Sequence, residues 1–138
     1  MPEILLDTNI LIFSINENDL LNQQAREFIN LHLPQLALAD QNINEAIRVL
    51  THEKYKKTAS LKDAMEAVKR VSDLCIHISP NIYTREHFFR LLKKYKVTSN
   101  KIYDAYLVAT ALSNSIYKIA TNNVKDFEVF EEMELVKF

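Results

Sequence analysis

Four acidic residues stand where the surrounding sequence predicts burial or the end of a strand: Asp7, Glu45, Asp104 and Asp126. Asp7 lies between two apolar runs, residues 4–6 and 10–13. Because burying a lone carboxylate is very costly, its charge must be paired, hydrated or bound to a metal. The alternative is that Asp7 is only the N-cap of a following helix. A cap would not explain the other three acids.

Asp104 gives the sharpest indication of a site. It is the only charged residue between Lys101 and Lys118, and helical spacing puts it on one face with Leu107 and Val108. Acids are almost never fully buried unless they are paired, so this one requires a partner. The alternative, a first-turn acid favoured by the helix dipole, would point outward, whereas Asp104 is predicted to point inward.

Glu45 and Asp126 each have a simpler alternative. Glu45 lies off the main apolar stripe of its predicted helix, so it is either a solvent-facing acid of the first turn or a neighbour of Asp7 at one sheet edge. Asp126 follows the strand that ends at Thr121. It is a ligand, the N3 partner of an Asn123 cap, or the cap itself.

Carboxylates that converge at one sheet edge repel one another unless divalent cations lie among them. Hard oxygen ligands without a Cys or His cluster favour Mg²⁺ or Mn²⁺ over zinc. Two such ions, ~3.5–4 Å apart, stabilise the attacking and leaving oxygens in phosphodiester cleavage. The four histidines, at positions 32, 52, 77 and 87, have no ligand spacing and are expected to be structural or on the surface.

The elements that must position these acids are short. Apolar runs predict strands at residues 4–6, 36–38, 75–78, 118–121 and 135–136. Helical spacing predicts helices at 21–29, 41–57, 60–73, 88–95, 107–112 and 127–133, with Asp40 as an N-cap. The pattern predicts one α/β domain over residues 1–138, whose mainly parallel five-stranded sheet is covered on both faces. Sites in such sheets form at the carboxyl ends of the strands, near the switch in strand order.

Composition excludes several kinds of nucleotide chemistry. The 138 residues include no glycine, which the P-loop, the GxGxxG turn and the kinase phosphate loop all require. The single cysteine, Cys75, cannot form an internal disulfide or a zinc cluster. We expect a soluble, cytoplasmic protein that does not enter the membrane, because no basic N-terminal region and no apolar run of ~18 residues is found.

The net charge of −1 hides a strong asymmetry along the chain. Residues 48–101 carry thirteen basic and five acidic residues, whereas residues 1–47 and 102–138 have net charges of −6 and −3. A basic central segment binds a polyanion if folding gathers its charges on one face. The alternative is a set of ordinary solvated helix faces.

Four segments together resemble the PIN-domain ribonucleases, specifically the VapC-type toxins of bacterial and archaeal toxin–antitoxin pairs. They are residues 5–11 (LLDTNIL), 44–45 (NE), 102–112 (IYDAYLVATAL) and 120–127 (ATNNVKDF), in the family's order and spacing. The resemblance implies a three-layer α/β/α sandwich, metal-dependent RNA hydrolysis, a homodimer and neutralisation by a cognate antitoxin.

The resemblance also assigns roles to residues. It implies that Asp7, Glu45 and Asp104 are catalytic ligands of Mg²⁺ or Mn²⁺. The family often places its fourth acid where this chain has Asn123, and Asp126 takes over in members with this loop pattern. Residues beside the ligands would orient them and a water molecule, namely Thr8, Asn9, Thr121 and Asn123. Basic residues of the central segment would guide the RNA backbone, namely Lys54, Lys56, Lys57, Arg85, Arg90, Lys93, Lys94 and Lys96.

Other classes of function were weighed by the residues they require. A haloacid-dehalogenase-like phosphatase requires a second Asp where this chain has Asn9. A receiver-like phosphoacceptor requires an Asp at the end of the third strand, where Ser79 and Pro80 stand. A PIN-fold scaffold that binds RNA or protein with little or no turnover stays open as the alternative to a ribonuclease.

Overall fold

The computed structural model describes residues 1–55 and 57–138. Strands β1 to β5 span Ile4–Leu6, Leu36–Ala39, Ile76–Ile78, Lys118–Thr121 and Glu134–Lys137. Helices α1 to α7 span Thr8–Ile15, Asn22–His32, Asp40–Thr51, Leu61–Ser72, Thr84–Tyr95, Lys101–Ser113 and Val124–Phe127. A turn of 3-10 helix at Leu33–Gln35 connects α2 to β2.

The five strands form one sheet in the order β3-β2-β1-β4-β5, and every neighbouring pair is parallel. Leu5 of the central strand pairs with Ala37 on one side and with Ile119 on the other. The chain adds β2 and β3 on one side of β1 and then crosses back to add β4 and β5. The strand order therefore switches between β1 and β4, where open α/β sheets place their sites.

Alternate side chains of the strands are buried against different helices. Leu5 and Ile119 pack in one core with the helices α5, α6 and α7. Leu6 and Leu38 pack in a second core, on the other face, with the helices α1 to α4. This alternation, together with parallel pairing throughout, confirms the predicted three-layer α/β/α sandwich.

Three local predictions were wrong. The helix predicted at 127–133 is absent, because α7 ends at Phe127 and consecutive turns bury Phe130 and Met133 at the same three-residue spacing that a helix would use. The N-cap of α3 is Ala39, so Asp40 is its first helical residue. The helix predicted to reach residue 57 ends at Thr51, since the charged segment that follows offers little apolar surface to bury.

None of the helices in the described part of the chain combines the length and the apolar character that crossing a bilayer requires.

Candidate functional site

Asp7 lies between the end of β1 and the start of α1, and both of its carboxylate oxygens are hydrogen-bonded. Oδ1 accepts from the Thr8 backbone N–H at 2.8 Å, so the residue does cap α1. Oδ2 accepts from the Thr121 hydroxyl at 2.8 Å, which joins the ends of β1 and β4. Burial raises the pKa of Asp7 to about 6 against the opposing effect of these two bonds, and the charges of Glu45 and Asp126 add to the rise.

A chain of hydrogen bonds holds Glu45 beside Asp7. The Thr8 hydroxyl donates to Glu45 Oε2 at 2.9 Å and accepts from Asn42 Nδ2 at 3.1 Å. Asn42 is fully buried, and its Oδ1 accepts from the Ala39 backbone N–H at 3.0 Å. Glu45 is half-buried and faces Thr8, so the solvent-facing alternative does not describe it.

Asp104 lies half-buried in the first turn of α6. Its pKa rises to about 7, first because burial penalises the charged form and then because Asp126, Asp7 and Glu45 are negatively charged. Lys101 acts in the opposite direction. The charges around Asp104 are therefore mainly those of other carboxylates, which repel its charge and do not pair it.

Asp126 is the third residue of α7 and is half-buried, and its charge raises the pKa of both Asp7 and Asp104. Asn123 is the N-cap residue, but its side chain is exposed and makes no capping hydrogen bond. Its backbone N–H instead donates to the Thr121 hydroxyl at 2.9 Å. The geometry therefore does not show the Asn123 side-chain cap that was one interpretation of this loop.

Asp7, Glu45, Asp104 and Asp126 are called the carboxylate site from here on. Within residues 1–55 and 57–138, no three Asp, Glu, His or Cys side chains stand close enough to form a ready-made metal cluster. The charges of Glu45 and Asp126 nevertheless contribute, after burial, to the raised pKa of Asp7 and of Asp104, so the four acids lie near one another. Such a set of mutually repelling oxygen donors fits a hard cation such as Mg²⁺ or Mn²⁺, which would lower the repulsion.

Two supporting residues were missed by the sequence reasoning. Asn42 was overlooked, although an amide three residues after an N-cap is the spacing of a capping box. Gln41 donates to Glu45 Oε1 at 3.4 Å and to the Tyr103 backbone oxygen at 2.9 Å, so it links α3 to α6. Its spacing of four residues from Glu45 was the available signal.

Asn9, which the sequence analysis placed beside the ligands, is half-buried on α1.

The basic residues of the central segment do not form one surface. Lys54 and Lys57 follow α3, whereas the others are exposed on α5 or at its end, and these two helices cover opposite faces of the sheet. Lys56 lies outside the described residues. The basic side chain near the acids is instead Lys101, whose Nζ also donates to the Lys125 backbone oxygen at 3.2 Å and so ties α6 to α7.

Comparison with known proteins gives a family and a fold. A sequence model of the PIN domain family matches residues 4–132. No curated protein sequence matches significantly.

Among solved structures, DNA-bound VapBC from Salmonella typhimurium is similar, with a TM-score of 0.76 at 19% identity over 99% of this chain and 98% of that one. VapBC2 from Rickettsia felis, bound to a promoter DNA fragment, has a TM-score of 0.76 at 15% identity over 98% of each chain. VapC20 from Mycobacterium tuberculosis, a toxin that cleaves the sarcin–ricin loop, has a TM-score of 0.65 at 15% identity over 85% of this chain and 87% of that one.

Proposed function

The chain belongs to the PIN domain family, and we propose that it is a metal-dependent endoribonuclease, a single nuclease domain over residues 1–138 that hydrolyses RNA phosphodiester bonds. The observation that carries this proposal is the carboxylate site at the switch in strand order, where burial and the charges of the neighbouring acids raise the pKa of Asp7 and Asp104. Outside a site that uses a cation, such mutual repulsion would only cost stability.

Asp7, Glu45, Asp104 and Asp126 would hold the ion, which when bound lowers the pKa of a water molecule and stabilises charge developing on the phosphate. Thr121 fixes one oxygen of Asp7, and the Thr8 hydroxyl fixes one oxygen of Glu45. These bonds orient the two carboxylates in advance, so little reorganisation is needed when an anionic substrate arrives. Lys101 provides a positive charge at the same site.

A cleavage assay on mixed RNA with Mg²⁺, repeated with a chelator, tests the proposal. We expect cleavage that the chelator abolishes and that Asp104→Asn reduces by more than about a hundredfold. Asp63→Asn is the matched control, since Asp63 is an exposed acid in the first turn of α4 and its loss changes the net charge equally. RNA binding without cleavage by the folded wild type would favour the scaffold alternative.

We further propose that the enzyme acts in the cytoplasm as the toxin of a toxin–antitoxin pair. The support is the similarity in fold to proteins solved as VapBC complexes and to a toxin that cleaves RNA. Induced expression in bacteria should then arrest growth, and Asp104→Asn should relieve the arrest at equal protein level. Equal arrest by the wild type and Asp104→Asn would contradict the proposal.

A groove of about 310 Å³ between α1, α2 and α4 is a suitable surface for the antitoxin. Apolar Ile15, Ile29 and Val71 line it together with three charged residues, Arg26, Arg70 and Glu17. Apolar side chains flanked by arginines suit an amphipathic segment that carries acidic residues. A cognate antitoxin should therefore lose affinity for Val71→Glu, and unchanged affinity would place the contact elsewhere.

We also propose a homodimer. Leu61 and Met65 of α4 are 61% and 52% exposed. The apolar stripe of this helix is therefore wider than the part that packs in the core, and a second subunit could cover the rest. Sedimentation at micromolar concentration should show a dimer, and a monomer would overturn the proposal.

A further inference from the structure

A cleft of about 300 Å³ lies directly beside the carboxylate site. The residues that characterise it are Asp40, Gln41, Asn44, Pro80, Tyr103 and Tyr106, which we call the tyrosine cleft. We propose that it binds one unpaired base of a single-stranded RNA next to the cleaved phosphate, with Tyr103 as the stacking surface. The proposal rests on the proposed function, since it names the part of the RNA that the same site receives.

The position of the cleft is set by Gln41, which forms a wall shared with the carboxylate site. Its Nε2 donates to Glu45 Oε1 on one side and to the Tyr103 backbone oxygen on the other. Tyr103 also directly precedes Asp104 in the sequence. A phosphate held at the carboxylates would therefore have its neighbouring nucleotide at the mouth of the cleft.

The two tyrosines differ in exposure. The Tyr106 ring packs edge-on against Phe88 with centroids 5.1 Å apart, so it is a fixed back wall. Tyr103 is 64% exposed, although burying an aromatic side chain is favourable. An exposed ring at the rim of a cleft can stack on a base, and such stacking tolerates any base because each has a π-face.

The polar groups of the cleft suit a base rather than a phosphate. None of the described residues that line it is basic, whereas Asp40, Gln41 and Asn44 supply one carboxylate and two amides. The Asp40 carboxylate is held in place by His77 and by the Ser79 hydroxyl at 2.8 Å. A carboxylate and amides accept from and donate to the edge of a base, but a carboxylate repels an anion.

The size of the cleft limits the ligand to one base. Its volume is at the lower end of the ~300–1,000 Å³ typical of small-ligand pockets. The bases of duplex RNA are stacked and their edges are paired, so only an unpaired nucleotide can turn its base into such a cleft. The expected substrate is accordingly single-stranded RNA or a loop.

Equilibrium binding of a fluorescein-labelled, mixed-sequence single-stranded oligoribonucleotide, measured by anisotropy with a chelator present, tests the inference without cleavage. Tyr103→Ala should weaken binding by about tenfold, and Tyr103→Phe should bind like the wild type because it keeps the ring. Tyr117→Ala is the matched control, since Tyr117 is 57% exposed and precedes β4, at the opposite end of that strand from Thr121. It should bind like the wild type.

Three results would overturn the inference: Tyr103→Ala binding like the wild type, Tyr117→Ala weakening binding equally, or a duplex of the same length binding as tightly as the single strand. Thermal unfolding of each variant checks that it is folded. The ribonuclease proposal fails if the wild type shows no Mg²⁺-dependent cleavage. The present test compares the binding of variants, so the two failures can be told apart.

Discussion

The two halves of the carboxylate site are held in place by different forces. Asp7 and Glu45 both accept hydrogen bonds from Thr8, Asp7 from its backbone N–H and Glu45 from its hydroxyl, and Asp7 also accepts from the Thr121 hydroxyl. In the described part of the chain, the carboxylates of Asp104 and Asp126 accept no comparable bond, and it is the packing of α6 and α7 that brings them to the site. Hydrogen bonds therefore fix Asp7 and Glu45 before any ligand binds, whereas the state of Asp104 and Asp126 depends on the charges around them.

This difference indicates how the site would use a cation. Hydrogen bonds to a carboxylate lower its pKa and keep it ionised, whereas neighbouring negative charges raise the pKa. Burial is the largest cause of the raised pKa of both residues; the pKa of Asp7, which also accepts two hydrogen bonds, is about 6, and that of Asp104 is about 7. A bound cation should stabilise the ionised form of both carboxylates.

Removing the Thr8 hydroxyl should break the hydrogen-bonded half. Thr8→Val leaves Glu45 Oε2 without its donor and the buried Asn42 amide without its acceptor. We expect RNA cleavage to fall by about 10–100-fold and unfolding free energy to fall by about 1–3 kcal/mol. Thr8→Ser, which keeps the hydroxyl, is the control and should retain most activity in the same assays. Equal loss in both variants would contradict this expectation, because Thr8→Ser keeps the hydroxyl that forms the bonds.

Removing Asp126 should weaken the half that depends on charge. If Asp126 helps to hold the ion, Asp126→Ala should shift the Mg²⁺ dependence of the cleavage rate to about tenfold higher concentration. Asn123→Ala is the neighbouring control and should leave the curve unchanged, because that side chain is exposed and caps nothing. An unchanged curve for Asp126→Ala, together with tighter Mg²⁺ dependence in Asn123→Asp, would assign the fourth position to residue 123 instead.

The smallest effect concerns pH and stability without a cation. Because the pKa values of Asp7 and Asp104 are raised from 3.8, the folded state binds protons that the unfolded state has released. Stability in chelator should therefore fall as pH rises from about 4 to about 7. Asp104→Asn should flatten this dependence and raise the melting temperature at pH 8 by a few degrees. Thermal unfolding across this pH range measures both, and a melting temperature lowered by the substitution would identify Asp104 as a structural partner.

The sequence was informative where one residue type served one local purpose. Apolar runs predicted all five strands within a residue or two. The reason is clearest for β1 and β2, which are buried on both faces and leave no room for polar side chains, whereas the edge strands β3 and β5 are partly exposed. Asp104 was identifiable because a single charge in an apolar helical stripe has few explanations. The structure of segment 127–133 could not be predicted in the same way, since turns and a helix bury residues at the same spacing.

The sequence by itself therefore determined the order of the elements, the acids that needed an explanation and the glycine-dependent chemistries that are excluded. Only the tertiary structure decided that Thr8 and Asn42 hold Glu45, that Asp104 faces three other acids, and that Gln41 separates those acids from a cleft containing Tyr103. The physical reason is that periodicity records which face of each element is buried. The direction of a hydrogen bond, and the strength of repulsion between charges, depend instead on distances between residues far apart in the chain.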